Sequence, residues 1–145
     1  MIKIIAIGKL KEKYLLDLCN DYKQRINKYH KIEIIEIKDS NMLEEAKEIK
    51  KYLNNNDYKV ALSIKGNKLS TIEFKDFIAS RFASGNPNII FIIGGSDGLT
   101  LDIYNIVDKE ISFSNMTFPH GLFRGILLEQ IYRSLKIMNN ETYHK

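Results

Sequence analysis

Three stretches of this sequence carry groups that could do chemistry. The first is Gly94-Gly95-Ser96-Asp97-Gly98, which follows the unbroken apolar run Ile89-Ile90-Phe91-Ile92-Ile93. Glycines there mean that something comes close to the backbone or that the turn needs a positive φ. A plain turn through Asp97-Gly98, with Thr100 capping a helix from Leu101 to Val107, accounts for the same residues. The second is Ser112-Phe113-Ser114-Asn115-Met116-Thr117-Phe118-Pro119-His120, where polar side chains and two phenylalanines share a segment too short to be its own unit. It reads either as a capped loop whose aromatics reach the core, or as a pocket wall where backbone groups meet a planar ring and Met116 or Phe118 packs on its face. The third is the tail Glu141-Thr142-Tyr143-His144-Lys145. Chain ends of this kind usually fray, yet an aromatic, an imidazole and a lysine also suit RNA, by stacking and phosphate contact.

Other familiar chemistries are missing their residues. No glycine satisfies the P-loop spacing, and the first strand is followed by only Gly8-Lys9-Leu10, not by a dinucleotide fingerprint. There is no Gly-x-Ser-x-Gly elbow, and the single Cys19 has no His or Cys at ligand spacing. His30, His120 and His144 are too scattered to indicate a metal site, so none is expected.

The elements that must position these loops follow from periodicity. Apolar residues at 2, 4, 5, 6 and 7 read as a strand ended by Gly8, and Tyr14, Leu15, Leu18, Cys19, Tyr22 and Ile26 mark an amphipathic helix from Glu12 to Lys28. A second strand, Ile32 to Ile37, precedes a helix over Leu43 to Leu53, which the Asn54 to Asp57 cluster ends. A third strand, Tyr58 to Ile64, leads through Gly66 to Ser70-Thr71-Ile72-Glu73, a capping-box spacing that opens a helix through Phe74, Phe77, Ile78 and Phe82. Ile89–Ile93 lacks polar alternation and reads as a central strand buried on both faces. A short strand from Glu110 to Phe113 precedes a last helix, Pro119 to Met138, with Leu122, Phe123, Ile126, Leu127, Ile131, Leu135 and Met138 as its core face and Arg124, Glu129, Arg133 and Lys136 on its surface. Alternating strands and helices predict an α/β domain with a mostly parallel sheet of five to six strands, spanning residues 1–145 as one unit. In such sheets ligands sit beyond the carboxyl ends of the strands, which directs attention to Gly8, Gly66 and Gly94–Gly98.

Composition bounds the rest. The chain has 145 residues, 44% of them hydrophobic and 28% charged, enough for one core without disulfide staples. The lone cysteine predicts a reducing compartment, and the absence of a long apolar run predicts a cytoplasmic protein away from membranes. The net charge of +4 is unevenly spread: residues 1–31 carry +5 and 119–145 carry +2, around a centre of −3. Lysine-rich helices are often only solvated surface, and otherwise a phosphate-binding face.

Gly8-Lys9-Leu10-Lys11-Glu12-Lys13-Tyr14, Ile92-Ile93-Gly94-Gly95-Ser96-Asp97-Gly98, the 112–120 segment, Glu129-Gln130-Ile131-Tyr132-Arg133 and Tyr143-His144-Lys145 occur in one order along the chain. In that order they resemble the bacterial ribosomal RNA large subunit methyltransferase H family, which methylates N3 of a pseudouridine. The resemblance implies a minimal SPOUT-type α/β domain with a C-terminal trefoil knot, acting as a homodimer on ribosomal RNA in the ribosome. It also implies that S-adenosylmethionine binds in a bent shape against Leu62, Gly94, Phe113, Ser114, Asn115, Met116, Thr117 and Phe118. The region from Asn41 to Asn56 looks shorter than in typical members, and Gly121 stands where a larger polar residue is usual.

The implied reaction is a single SN2 transfer from the sulfonium to the ring N3, in which the protein mainly positions the reactants. The departing imino proton makes His144 a candidate base and Tyr143 a group that stacks on or orients the nucleobase, reaching into a partner subunit's pocket. Lys145 and His144 could instead contact phosphate alone. Lys9, Lys11, Lys13, Arg124 and Arg133 are the expected RNA anchors, with His120 at the pocket mouth. The domain's size leaves no room for a separate RNA-binding unit, so a second subunit is expected to complete the site. Two rivals predict different behaviour: a ribosome-associated RNA-binding module with the same fold and no cofactor, and a flavodoxin-like small-molecule binder without a basic dimer face.

Overall fold

The sheet assembles around its most apolar strand. In the computed structural model, which describes residues 1–143, strands β1 (Ile2–Ile7), β2 (Ile32–Ile37), β3 (Tyr58–Lys68), β4 (Ile89–Ile93) and β5 (Lys109–Ser112) alternate with helices α1 (Lys13–Asn27), α2 (Met42–Lys50), α3 (Thr71–Phe82), α4 (Leu101–Ile106) and α5 (His120–Met138). The strands lie in the order β2-β1-β4-β3-β5, and every pairing is parallel. All of β4 is buried, as an unbroken apolar strand requires. Alternation along β1 divides the core: Ile2, Ile4 and Ala6 face α1, α3 and α5, while Ile5 and Ile7 face α2 and α4. Each fully buried isoleucine contributes about 1.5–3 kcal/mol relative to exposure. Among the described residues, no helix is long and apolar enough to cross a membrane.

Local signals set the helix starts. Asn41 accepts from the Glu44 N–H at the head of α2, Ser70 and Glu73 form the capping box of α3, and Thr100 accepts from Ile103 N–H at α4. Two expectations need correction. β3 does not end at Ile64 but continues to Lys68, through Gly66. α5 buries a wider arc than the expected face: Leu122 is 38% exposed, while Arg124, Gly125, Leu128, Tyr132 and Ser134 are buried beside Leu127, Ile131 and Leu135. The reason is that α5 packs against both α1 and α3, which widens its buried arc beyond one apolar stripe.

The glycines of α5 admit α1. A Cβ on Gly121 would lie 2.7 Å from Leu10 Cδ2 and 2.8 Å from Leu15 Cδ1, and one on Gly125 would lie 2.6 Å from Leu18 Cδ2. Leu10 and Leu15 are buried, whereas Leu18 is only half-buried and can swing aside. Gly121→Ala should therefore destabilise by about 1–2 kcal/mol as two packed leucines are displaced. Gly125→Ala should stay within about 0.5 kcal/mol of the parent, because the helical gain of alanine over glycine, about 1 kcal/mol, offsets one movable contact. Urea titration of the two variants measures the difference; equal losses would show that α1 yields as one body.

Candidate functional site

The carboxyl ends of β3, β4 and β5 converge on one cavity of about 820 Å³, within the range of small-molecule sites. Its first wall is a bulge. Leu62 and Asn67 both pair with Ile111, so Ser63, Ile64, Lys65 and Gly66 are looped out of the ladder between β3 and β5. Of these, Ser63, Ile64 and Lys65 line the cavity with Leu62. The second wall is the turn after β4, where Gly98 N–H donates to Gly95 O at 3.0 Å; Gly94, Gly95, Ser96, Gly98 and Leu99 face the cavity.

The third wall is the segment after β5. Ser112 Oγ donates to Ser114 O at 3.0 Å and Ser114 Oγ accepts from Met116 N–H at 3.0 Å, so two short side chains shape the loop. Phe113, Ser114, Met116, Thr117 and Phe118 line the cavity; Asn115 sits in the same loop but is not on its wall. The aromatic side of the wall is anchored in the core. Phe118 stacks on Phe123 at 6.0 Å, Phe123 meets Phe113 at 5.4 Å, and Phe113 meets Phe74 at 5.5 Å. Phe113 and Phe118 also line a second hollow of about 200 Å³ under α3, so they partition the two spaces. Met116 lies over the cavity with 72% of its surface exposed.

Charged groups lie at the rim and below it. Lys65, Glu110 and His120 line the cavity. His120 Nε2 is buried without a partner, and burial holds its imidazole below the usual histidine range. Arg124, expected among the RNA anchors on the surface, is instead 2% exposed. It pairs with Glu36 Oε2 at 2.6 Å and donates to Gly8 O at 3.0 Å. Its guanidinium ties the Gly8 turn to β2 and is not placed to anchor RNA.

Lys9, Lys11 and Lys13 are exposed after β1, with Lys13 reaching Asp17 at 2.7 Å. Arg133 pairs with Glu129 at 2.6 Å and lies over the Tyr143 ring at 4.7 Å. Tyr143 packs on the α1–α5 face of its own chain, edge-on to Tyr132 at 5.0 Å, and is not among the residues lining the cavity. Burial and contacts with Tyr22 and Glu129 push its phenol well above the usual tyrosine range. His144 and Lys145 lie outside the described residues. Sequence reasoning missed Ser63, Ile64, Lys65, Leu99 and Tyr104 as cavity residues. The signal that could have found the first three was an exposed-type interruption, Ser63 to Gly66, inside an otherwise strand-like run. Among the described residues, no group of His, Cys, Asp and Glu is placed to hold a metal.

A parallel sheet layered between helices, with one roomy cavity over the carboxyl ends of adjacent strands, defines an α/β domain that binds a small organic ligand. A family model described as "Predicted SPOUT methyltransferase" matches residues 1–144, and the chain belongs to that family. It is 45% identical to the ribosomal RNA large subunit methyltransferase H of Clostridium kluyveri, 41% to that of Clostridium perfringens and 42% to that of Acetivibrio thermocellus, each over 99% of both chains. The alignments run over 157 positions, longer than this 145-residue chain, so these relatives carry segments that it lacks. Among solved structures, the SpoU methyltransferase AviRb from Streptomyces viridochromogenes, in complex with AdoMet, aligns at a TM-score of 0.49 with 8% identity, over 90% of this chain and 56% of that one.

Proposed function

We propose that this chain is an S-adenosylmethionine-dependent methyltransferase acting on N3 of a pseudouridine in large-subunit ribosomal RNA. The observation that carries the proposal is the cavity walled by the three strand-end segments, in a chain that matches relatives named ribosomal RNA large subunit methyltransferase H over 99% of its length. The cavity fits such a cofactor. Leu62, Ile93, Leu99, Phe113 and Phe118 offer flat apolar walls for an adenine. A Cβ on Gly94 would lie 2.9 Å from Gly98 C and 3.0 Å from Leu99 Cγ, so glycine lets the turn after β4 fold tightly on itself and form that wall. Glu110 supplies a carboxylate for a cationic ligand.

When bound, S-adenosylmethionine supplies the methyl group. The chain's own part is to hold the ring in line, and orientation of this kind lowers barriers by up to roughly 7–11 kcal/mol. The proton on N3 needs an acceptor, for which His144 is the candidate, with Tyr143 orienting the base. Because Tyr143 packs away from its own cavity, a second copy of the chain would bring the tail to the site. The same reading places the enzyme in the cytoplasm, acting on the assembled ribosome, with its C-terminal segment threaded as a trefoil knot. If His144→Ala and Tyr143→Phe proteins bind ribosomes normally and methylate at the parental rate, the tail has no chemical role.

Transfer from labelled cofactor to assembled ribosomes, beside free large subunits, tests the reaction; calorimetry with S-adenosylmethionine tests the cofactor. Binding to ribosomes without cofactor binding would leave the RNA-binding module as the better account. Lys9, Lys11 and Lys13 should act on phosphates. Changing all three to glutamine should weaken ribosome binding and flatten its dependence on salt, by about one unit of log–log slope for each phosphate no longer neutralised. An unchanged slope would assign these lysines to solubility.

A further inference from the structure

Helix α5 ends at Met138, and the chain then makes a defined reversal. Asn140, with φ 56°, is the only residue other than glycine in the left-handed region among the described residues. Its N–H donates to Ile137 O at 3.0 Å, and the Glu141 N–H donates to Lys136 O at 3.0 Å. This bond pair is a Schellman stop, a position usually given to glycine and open to asparagine. The reversal carries Glu141 back along the helix, where both its oxygens are held. The Tyr29 hydroxyl donates to Oε1 at 2.8 Å, and Lys136 Nζ donates to Oε2 at 2.7 Å. Lys136 Nζ also lies 3.4 Å from the Tyr29 hydroxyl, closing a triangle between the ends of α1 and α5. Two residues on, Tyr143 meets the Tyr132 ring and donates to Glu129 Oε1 at 3.3 Å.

We propose that the Asn140 turn and the Tyr29–Glu141–Lys136 clamp form a positioning latch, which fixes the segment from Asn140 to Tyr143 on α5 so that Tyr143 meets the target nucleotide from a set starting point. The inference rests on the reading of the tail as part of the RNA site. An unrestrained end loses backbone freedom each time it engages RNA; an end already held does not. Glu141 is exposed, and ion pairs of this kind add little to global stability. The latch should therefore register in turnover on ribosomes and hardly at all in melting temperature.

The test uses the full chain. Asn140→Val strains the turn, Asn140→Gly preserves it, and Tyr29→Phe and Glu141→Ala each open the clamp. Asn140→Val and Glu141→Ala should lower kcat/KM for ribosomes about tenfold, the scale of a modest misplacement of a reacting group. Cofactor KM and Tm should hold, and Asn140→Gly should stay within about twofold of the parent. Amide hydrogen exchange at Glu141 and Tyr143 should quicken in the variants that lose turnover. Loosened tails with parental kcat/KM would overturn the latch, as would losses that track Tm or cofactor KM. Fast exchange at Glu141 in the parent would overturn it directly. A parent that methylates nothing would refute the methyltransferase reading, and exchange in the parent against Asn140→Val and Glu141→Ala would still decide whether the tail is latched.

Discussion

Gly66→Ala should lower the stability of the fold by about 3 kcal/mol and weaken cofactor binding by about two orders of magnitude, because the atoms in the way cannot move aside singly. A Cβ at this position would lie 2.7 Å from Glu110 C and Ile111 N and 2.8 Å from Ile111 C, all main-chain atoms of β5. A flexible side chain relieves such a contact by rotating; a paired strand relieves it only by shifting or by pushing the bulge outward. Either movement reaches the cavity, since Ser63, Ile64 and Lys65 line it from the bulge, and Ser112, Phe113 and Ser114 line it from the end of β5. Gly85→Ala is the control. It has a left-handed φ of 80° but no neighbour within 4 Å of an added Cβ, so it should cost about 1 kcal/mol in strain and leave cofactor affinity alone. Urea unfolding and calorimetry with S-adenosylmethionine on the three proteins measure both effects. A Gly66→Ala protein that keeps parental stability and affinity would mean that β5 is free to slide.

The same position shows where sequence reading runs out. Ile32–Ile37 and Ile89–Ile93 were legible as strands because β-branched runs bounded by polar clusters satisfy one local rule, and Ser70-Thr71-Ile72-Glu73 announced α3 through its capping box. Gly66 obeys no local rule. Its role is set by Glu110 and Ile111, which reach it only through a parallel pairing with an interrupted register. α5 fails for a related reason. A single apolar stripe presumes a single neighbour, and a helix wedged between α1, α3 and the sheet buries Arg124 and Ser134 as well.

For the site, the glycine turn after β4 and the 112–118 loop were visible as loops rich in unusual composition, and both line the cavity. Asn115 comes with them only through the family resemblance, and it sits in the same loop without lining the cavity. Lys65 and Ile64 carry no chemical signature of their own at the end of a strand; only the interruption from Ser63 to Gly66 marks them, and it is the bulge that turns them to the cavity. The tail was noticed for its residue types, whereas its docking on Tyr132 and Glu129 depends on a reversal at Asn140 that no periodicity encodes.

The Arg124–Glu36 pair should respond asymmetrically to losing one partner or the other. The guanidinium is 2% exposed and the carboxylate 37%. Glu36→Leu leaves a buried cation with the Gly8 carbonyl as its remaining hydrogen-bonding group, for which about 3–5 kcal/mol is the usual loss. Arg124→Leu leaves a carboxylate that water can reach and an unpaired Gly8 carbonyl, so about 1–3 kcal/mol is expected. It also removes a buried Arg124 Nε that has no partner. Replacing both residues with leucine should recover part of the larger loss, since a buried ion pair often exchanges for apolar packing at little net change. Urea unfolding of the four proteins gives the order: parent, then Arg124→Leu and the double variant, with Glu36→Leu lowest. If Arg124→Leu were the least stable, the guanidinium's packing, not its charge, would be what holds α5 to the Gly8 turn. Ribosome binding by Arg124→Leu should keep the parental salt slope, because a cation enclosed between β1, β2 and α5 releases no counterion from RNA.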